Sequence, residues 1–182
     1  MTTTAAADTR RQILRAAMAE LAGGGAERAR MDTIAARAGV SRGTLYYHFH
    51  GREDLLVALI EDALDDLARE ITDPVASGDP LAVLESVLRF YAANEDRCRF
   101  LFSNVLVAPE RASAIMRREK DQLVTPLAGC LATRGYEQPE VLAEALLGQV
   151  NGLVFGRIMR GEPLDLDQAG PSLLATARRV LA

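Results

Sequence analysis

The residues best equipped for chemistry stand together in Arg42-Gly43-Thr44-Leu45-Tyr46-Tyr47-His48-Phe49. Read at the helical period, Leu45 and Phe49 fall one turn apart on a buried side. Arg42, Thr44, Tyr46, Tyr47 and His48 are then left to solvent. A guanidinium, a hydroxyl, two phenols and an imidazole on so short a helix are poorly suited to water alone. They can bond phosphate oxygens, bond base edges in a groove and pack on thymine methyls. The chemistry they predict is recognition of double-stranded DNA, not bond breaking. The alternative is a three-helix structural unit whose tyrosines merely cover an apolar patch.

Something must hold that helix in place, and the preceding residues supply it. Ile34, Ala35 and Ala38 put small apolar groups on one face of a first short helix. Gly39 offers the positive φ at which a helix of L-residues stops. Ser41 is then a good N-cap for the second helix, because its hydroxyl can accept from an orphan amide. Upstream, Thr9 to Ala22 reads as a third helix with Ile13, Leu14, Ala17, Met18 and Leu21 buried. Thr9 and Gln12 have capping-box spacing, and Gly23-Gly24-Gly25 ends the pattern. Arg10, Arg11 and Arg15 lie near its start and can reach phosphates or form a solvated basic face.

The run IAARAGVSRGTLYYHF (residues 34–49), with Gly51-Arg52-Glu53-Asp54-Leu55-Leu56 after it, resembles the TetR family of one-component transcriptional regulators. The family's usual lysine after the recognition helix is Arg52 here, which keeps the charge. Arg30 stands where the family often has a threonine that caps the first motif helix and touches phosphate, so that cap is in doubt. The DNA-contacting set the resemblance and the residues imply is Arg30, Arg42, Gly43, Thr44, Tyr46, Tyr47, His48 and Arg52. It further implies an all-α fold: a helix–turn–helix DNA-binding domain (residues 1–51) and a helical ligand-binding and dimerisation domain (residues 52–182). The implied function is a repressor released from a palindromic operator by a small molecule. A transcriptional activator, a ligand-independent repressor and a helical binding protein without DNA contact are the alternatives.

Charge distribution agrees with a DNA-binding end. The chain carries net −4, yet residues 1–52 hold eight arginines against four acids, leaving −8 for the rest. A basic unit on an acidic body puts the phosphate-seeking field at one end. No uninterrupted apolar run approaches a membrane span, and Met1 to Ala7 lacks a signal-peptide plan. The expectation is a cytoplasmic protein with a disordered Met1–Ala7. Two cysteines, Cys98 and Cys130, are too few for a disulfide framework and are expected as buried hydrophobes.

Beyond residue 51 the hydrophobic period is helical throughout, and about nine helices are expected in all. Arg52 to Ile71 carries a stripe from Leu55 to Ile71 and ends before Asp73-Pro74; it links the DNA-reading unit to the body. Leu81–Ala93, Arg97–Val107, Glu110–Thr133, Glu140–Arg160 and Leu166–Leu181 follow, with Pro126 expected to kink or interrupt its helix. Gly148, Gly152 and Gly156 fall every fourth residue near one helical face. Each costs about 1 kcal/mol relative to alanine, and close approach of another helix is the natural compensation. These three are therefore the expected dimer interface, and the family resemblance implies that the last two helices pair with their mates. A homodimer also suits the DNA side, since one short helix reads few base pairs.

Phe90, Tyr91, Phe100, Phe102, Met116, Phe155 and Met159 are the large or flexible apolar groups that could line a ligand pocket, with Asn94, Asn104, Gln149 and Asn151 as polar contacts. Plain core packing is the competing reading for each. No charge cluster interrupts them, so an apolar or weakly polar ligand is expected. No cofactor or metal is expected: the two histidines, His48 and His50, flank the motif, and no CxxC, phosphate loop, GxSxG or HExxH is present. An enzyme is the least supported reading.

Overall fold

The computed structural model of the protein describes residues 2–24, 30–104 and 109–182. Among them every regular element is a helix. The helices are α1 (Thr2–Gly24), α2 (Met31–Arg37), α3 (Arg42–His48), α4 (Arg52–Glu70), α5 (Thr72–Ala76), α6 (Pro80–Ala93), α7 (Glu95–Asn104), α8 (Pro109–Glu119), α9 (Thr125–Thr133), α10 (Pro139–Met159) and α11 (Leu166–Val180), with a π-helical turn at Lys120–Val124. Gly25, Arg28, Val105 and Val107, which the sequence pattern assigns to the end of α1, the basic set and the α7 stretch, lie outside the described residues. The chain divides into two compact units, Met1–Asp62 and Ala63–Ala182, and the division falls inside α4.

In the first unit the anticipated apolar residues meet. Ile13, Leu14, Ala17 and Leu21 of α1, Ile34 and Ala35 of α2, Ala38, Leu45, Phe49 and Leu55 are all buried, while Met18 is half-buried. Gly39 has φ +64°, so the α2–α3 turn uses the backbone freedom that a side chain would strain. The start of α1 differs from expectation. Thr2 to Ala7 are helical, since Ala5, Ala6 and Ala7 favour a helix once Ile13 and Leu14 anchor it. Thr9 is accordingly interior, and its hydroxyl donates to the Ala5 carbonyl at 2.9 Å instead of capping. Gln12 has another partner: its amide donates to the Ala38 carbonyl at 2.7 Å and braces the end of α2.

The second unit is built around Leu84, Val87, Leu127, Leu131, Leu146, Val150 and Val154, contributed by α6, α9 and α10. Asp79 caps α6 by accepting from the Leu81 amide at 3.0 Å. Among the described residues the number of helices rises from about nine to eleven, for two local reasons. Pro74 fits the first turn of a short helix, α5, so the chain bends and restarts there. Pro126 can donate no amide bond, and its ring would collide with the carbonyl four residues back. The preceding turn widens, with the Thr125 amide reaching back five residues to Lys120, and α9 begins with Pro126 in its first turn.

α10 is long and apolar enough, by length and composition, to cross a membrane. Its Ala143, Leu146, Leu147, Val150, Val154 and Ile158 are instead buried in the unit's core. The glycine row on the same helix is not uniform. A Cβ at Gly148 or Gly152 would meet nothing within 4 Å, whereas one at Gly156 would sit 3.1 Å from the Arg160 guanidinium.

Candidate functional site

The exposed side of α3 is fixed from within. The Ser41 hydroxyl accepts from the Thr44 amide at 3.0 Å and lies 2.8 Å from the Thr44 hydroxyl, so cap and first turn are tied together. Leu45 and Phe49 are fully buried and orient the helix. The guanidinium of Arg10 lies over the Phe49 ring at 5.3 Å, so this arginine packs on the core edge. Arg11 pairs with Asp8 at 3.3 Å, and Arg15 remains exposed.

Above that footing, Arg42, Gly43, Tyr46 and Tyr47 are exposed and Thr44 and His48 half-buried. Tyr47 is 79% exposed, an unusual state for so large an apolar body unless a partner covers it. The Tyr47 and His48 rings meet edge to face at 5.2 Å, which limits how far either can swing. Arg42 leans over the Tyr46 ring at 5.5 Å and sits 3.4 Å from the Asp32 carboxylate. Both charges are well exposed, so that pairing is weak and easily exchanged for phosphate or guanine. Asp32 was not expected as a partner, although it is the acid nearest in sequence to the motif. A Cβ at Gly43 would touch only the Ser41 hydroxyl, at 3.7 Å. The protein itself therefore does not require glycine there, and the open side faces outward.

Two arginines flank the helix. Arg52 is exposed as the first residue of α4, behind a turn in which the His50 amide donates to Asp54 at 3.0 Å. Arg30 is exposed and occupies the N-cap position of α2 without any side-chain cap. The missing cap anticipated at Arg30 is thus a feature of the protein.

In the second unit, five of the proposed pocket residues form one connected cluster, in which the Phe90 ring meets Tyr91 edge-on at 6.3 Å. The Tyr91 hydroxyl donates to Asn151 Oδ1 at 2.9 Å. Tyr91 stacks edge-on against Phe102 at 5.9 Å, and Phe102 lies 6.3 Å from Phe155. The others are placed elsewhere or used locally. Phe100 is buried. Asn94 donates to the Phe90 carbonyl at 2.8 Å and closes the end of α6. Met116 and Met159 are 48% and 63% exposed.

One member of the cluster is a charge, contrary to expectation. Glu119 accepts from Asn151 Nδ2 at 3.0 Å. Burial pushes its carboxyl above the ordinary glutamate range, with the Asn151 bond a smaller opposing influence. In sequence it is hidden in the charged run Arg117-Arg118-Glu119-Lys120-Asp121, which reads as a solvated face. The next residue back, Arg118, turns the other way and donates to both oxygens of Asp65 on α4, at 2.6 and 2.8 Å, with Gln122 adding a third bond at 2.6 Å. Burial alone would raise the Asp65 carboxyl, but these bonds outweigh it and hold it below its ordinary range. Burial raises both thiols, Cys98 to about 12, which suits inert packing better than nucleophilic or redox work.

The sequence pattern described as bacterial regulatory proteins, tetR family, matches residues 13–59, the span that builds this face. TtgR, an HTH-type transcriptional regulator of Pseudomonas putida, is 29% identical over 184 residues, covering 88% of this chain and 85% of its own. SmeT, the repressor of the Stenotrophomonas maltophilia multidrug efflux pump SmeDEF, shares the fold with a TM-score of 0.67 at 23% identity, over 94% of this chain and 89% of its own; it is also known in complex with triclosan. FadR of Bacillus subtilis, in complex with stearoyl-CoA, shares it with a TM-score of 0.71 at 18% identity, over 92% and 98% of the two chains. The exposed, capped helix thus lies in a segment, residues 13–59, that matches the tetR family of bacterial regulatory proteins, and the chain shares its helical fold with SmeT and FadR over most of its length.

Proposed function

We propose that the protein is a homodimeric repressor that binds a palindromic operator through α3 and is released by a small molecule held in its second unit. The exposed face of α3 carries this reading. A Ser41-capped helix offers Arg42, Thr44, Tyr46 and Tyr47 from a footing of buried Leu45 and Phe49. Arg42, Thr44 and Tyr46, early on the helix, read bases; Tyr47, His48, Arg52 and Arg30 position the phosphate backbone, and Gly43 lets that backbone come close. Its place of action is the cytoplasm, where the DNA is.

A second copy of the chain is supported by α10. Val141, Ala145, Gly148, Gly152 and Met159 are exposed along one side of this helix, an apolar row that none of the described residues covers. The ligand half of the proposal rests on the Tyr91–Asn151–Glu119 cluster with Phe102 and Phe155 beside it. TtgR, SmeT and FadR are regulators, and two of them have been seen with a small molecule. The signal passes through α4, which runs unbroken from Arg52 to Glu70. Its Asp65 is gripped by Arg118 and Gln122, on either side of Glu119. A ligand that moves Glu119 therefore pulls on α4, changes the spacing of the two recognition helices and costs one half-site.

The test is a gel shift on the DNA upstream of the protein's own gene, competed with random DNA. Arg42→Ala is expected to cost about 1–3 kcal/mol and to relax sequence preference, whereas Arg52→Ala weakens all sequences alike. Equal losses on specific and random DNA for both variants would refute the assignment of roles, and no shift with the wild type would refute DNA binding.

A further inference from the structure

Glu119 differs from the other half-buried acids described in its unit, each of which has a cation beside it. Asp65 has Arg118 and Gln122, and Asp66 has Arg97 and Arg69. Glu119 receives one hydrogen bond, from the neutral Asn151 amide, and among the described residues no cation pairs with it. A carboxylate has room for about four hydrogen bonds. Taken largely out of water, it must gain a counter-charge, gain donors or take up a proton. The nearest guanidinium in sequence, Arg118, is already committed to Asp65.

The surroundings are of the kind that hold a flat cation. Asn151 and Phe155 stand one turn apart on α10, and Phe102 meets both Phe155 and Tyr91. Glu119, Asn151, Phe102 and Phe155 are each half-buried, so their outer sides can be reached, whereas Tyr91 behind them is buried. Aromatic faces attract a cation directly, and a flat hydrocarbon can cover the two phenyl rings. We infer that this face binds a ligand with a planar aromatic body and a protonated amine, the amine docking on Glu119 and the rings on Phe102 and Phe155. The inference names the ligand class for the ligand-released regulator proposed above, and it departs from the apolar ligand that the sequence suggests.

A matched pair of probes tests it: 1-naphthylmethylamine, a cation at neutral pH, and 1-naphthylmethanol, its neutral counterpart. Binding of each to the full-length protein is measured by titration calorimetry. The amine is expected to bind about tenfold tighter or more, the margin of a partly desolvated charge pair. Glu119→Gln keeps an acceptor for Asn151 and is expected to bring the two probes within about twofold. Asp121→Asn, at an exposed acid two residues away, is expected to leave the preference intact. Circular dichroism verifies that each variant is folded. Equal or tighter binding of the alcohol, a preference that survives Glu119→Gln, or no binding of either probe at millimolar concentration would overturn the inference. The same titrations with operator present separate it from the broader proposal. If the amine binds as described but leaves operator affinity unchanged, the ligand class stands and ligand-driven release falls. If only the alcohol binds and it releases operator, release stands and the docking role of Glu119 falls.

Discussion

Gly152→Leu separates a packing glycine from a recognition glycine. Among the described residues of one protomer a Cβ at Gly152 meets nothing within 4 Å, so the larger side chain has room. In an isolated helix the change should gain about 0.8 kcal/mol, because leucine is close to the best helix former and glycine among the worst. In a two-fold interface the same leucine appears on both sides of the axis. Overpacking costs about 1–3 kcal/mol per site, so about 2–6 kcal/mol for the pair. At about 1.4 kcal/mol per decade, the dimer should weaken by about 30-fold to about 10⁴-fold. Sedimentation velocity across a concentration series reads the dissociation constant, and circular dichroism with urea unfolding reads the helix. The expected result is a protein that is more monomeric with its helix content intact. An unchanged dissociation constant would refute the interface, and a monomer with lost helix would mean that leucine is not tolerated inside the protomer.

Four further outcomes follow from the side-chain arrangement of the two units. Gly43→Ala should stabilise the first unit by about 0.5–1 kcal/mol while weakening DNA binding, if the open side of Gly43 is where a phosphate backbone approaches; equal DNA affinity would remove Gly43 from the interface. Ser41→Ala loses the 3.0 Å cap to the Thr44 amide and should cost about 0.5–2 kcal/mol in urea unfolding; no change would mean that water replaces the hydroxyl. Asp65→Asn should cost little stability, about 1 kcal/mol or less, because Arg118 and Asp65 are each more than a third exposed, yet it should shrink ligand-driven release from the 5–150-fold range of about 1–3 kcal/mol coupling toward none; full release in this variant would refute the α4 grip. Glu119 has a raised carboxyl in the folded state, so the folded protein binds this proton more readily than the unfolded chain and loses stability as pH rises through the raised value. Glu119→Gln should therefore gain melting temperature over wild type from its ordinary value of 4.5 upward and show no gain well below it; a difference that is flat with pH would be the contrary result.

How much was legible in sequence depended on whether the cause was local. The α2–α3 turn could be read because Gly39 and Ser41 act through their own backbone and the next few amides. The core of the first unit followed from helical spacing alone, as Ile13, Leu14, Ile34, Leu45 and Phe49 all point inward. The break near Pro126 was likewise visible, although a proline does not say that the preceding turn will widen. Thr9 misled for a related reason. Capping-box spacing is a local signal, and the alanines before it extended the helix past the cap. Gln12 meets Ala38, and Glu119 meets Asn151, across 26 and 32 residues of chain. No local pattern encodes such pairs. Glu119 in particular sits in a run of alternating charges whose usual fate is solvent. Its burial depends on how the end of α8 and the π-helical turn after it meet α10, which is a tertiary fact.

The claim that matters most is that α3 reads DNA, and its most direct test is operator affinity against salt. Fluorescence anisotropy with the upstream DNA should show two protomers per site, with half-site centres about 34–36 Å or somewhat more apart. If the dimer neutralises about 6–10 phosphates, affinity should fall by on the order of 10³–10⁵ between about 50 and 200 mM salt. Arg52→Ala should reduce the slope by about one for each phosphate no longer neutralised. A steep slope with a preference for the upstream sequence is the predicted result. A flat salt response, or equal affinity for upstream and random DNA, would contradict it.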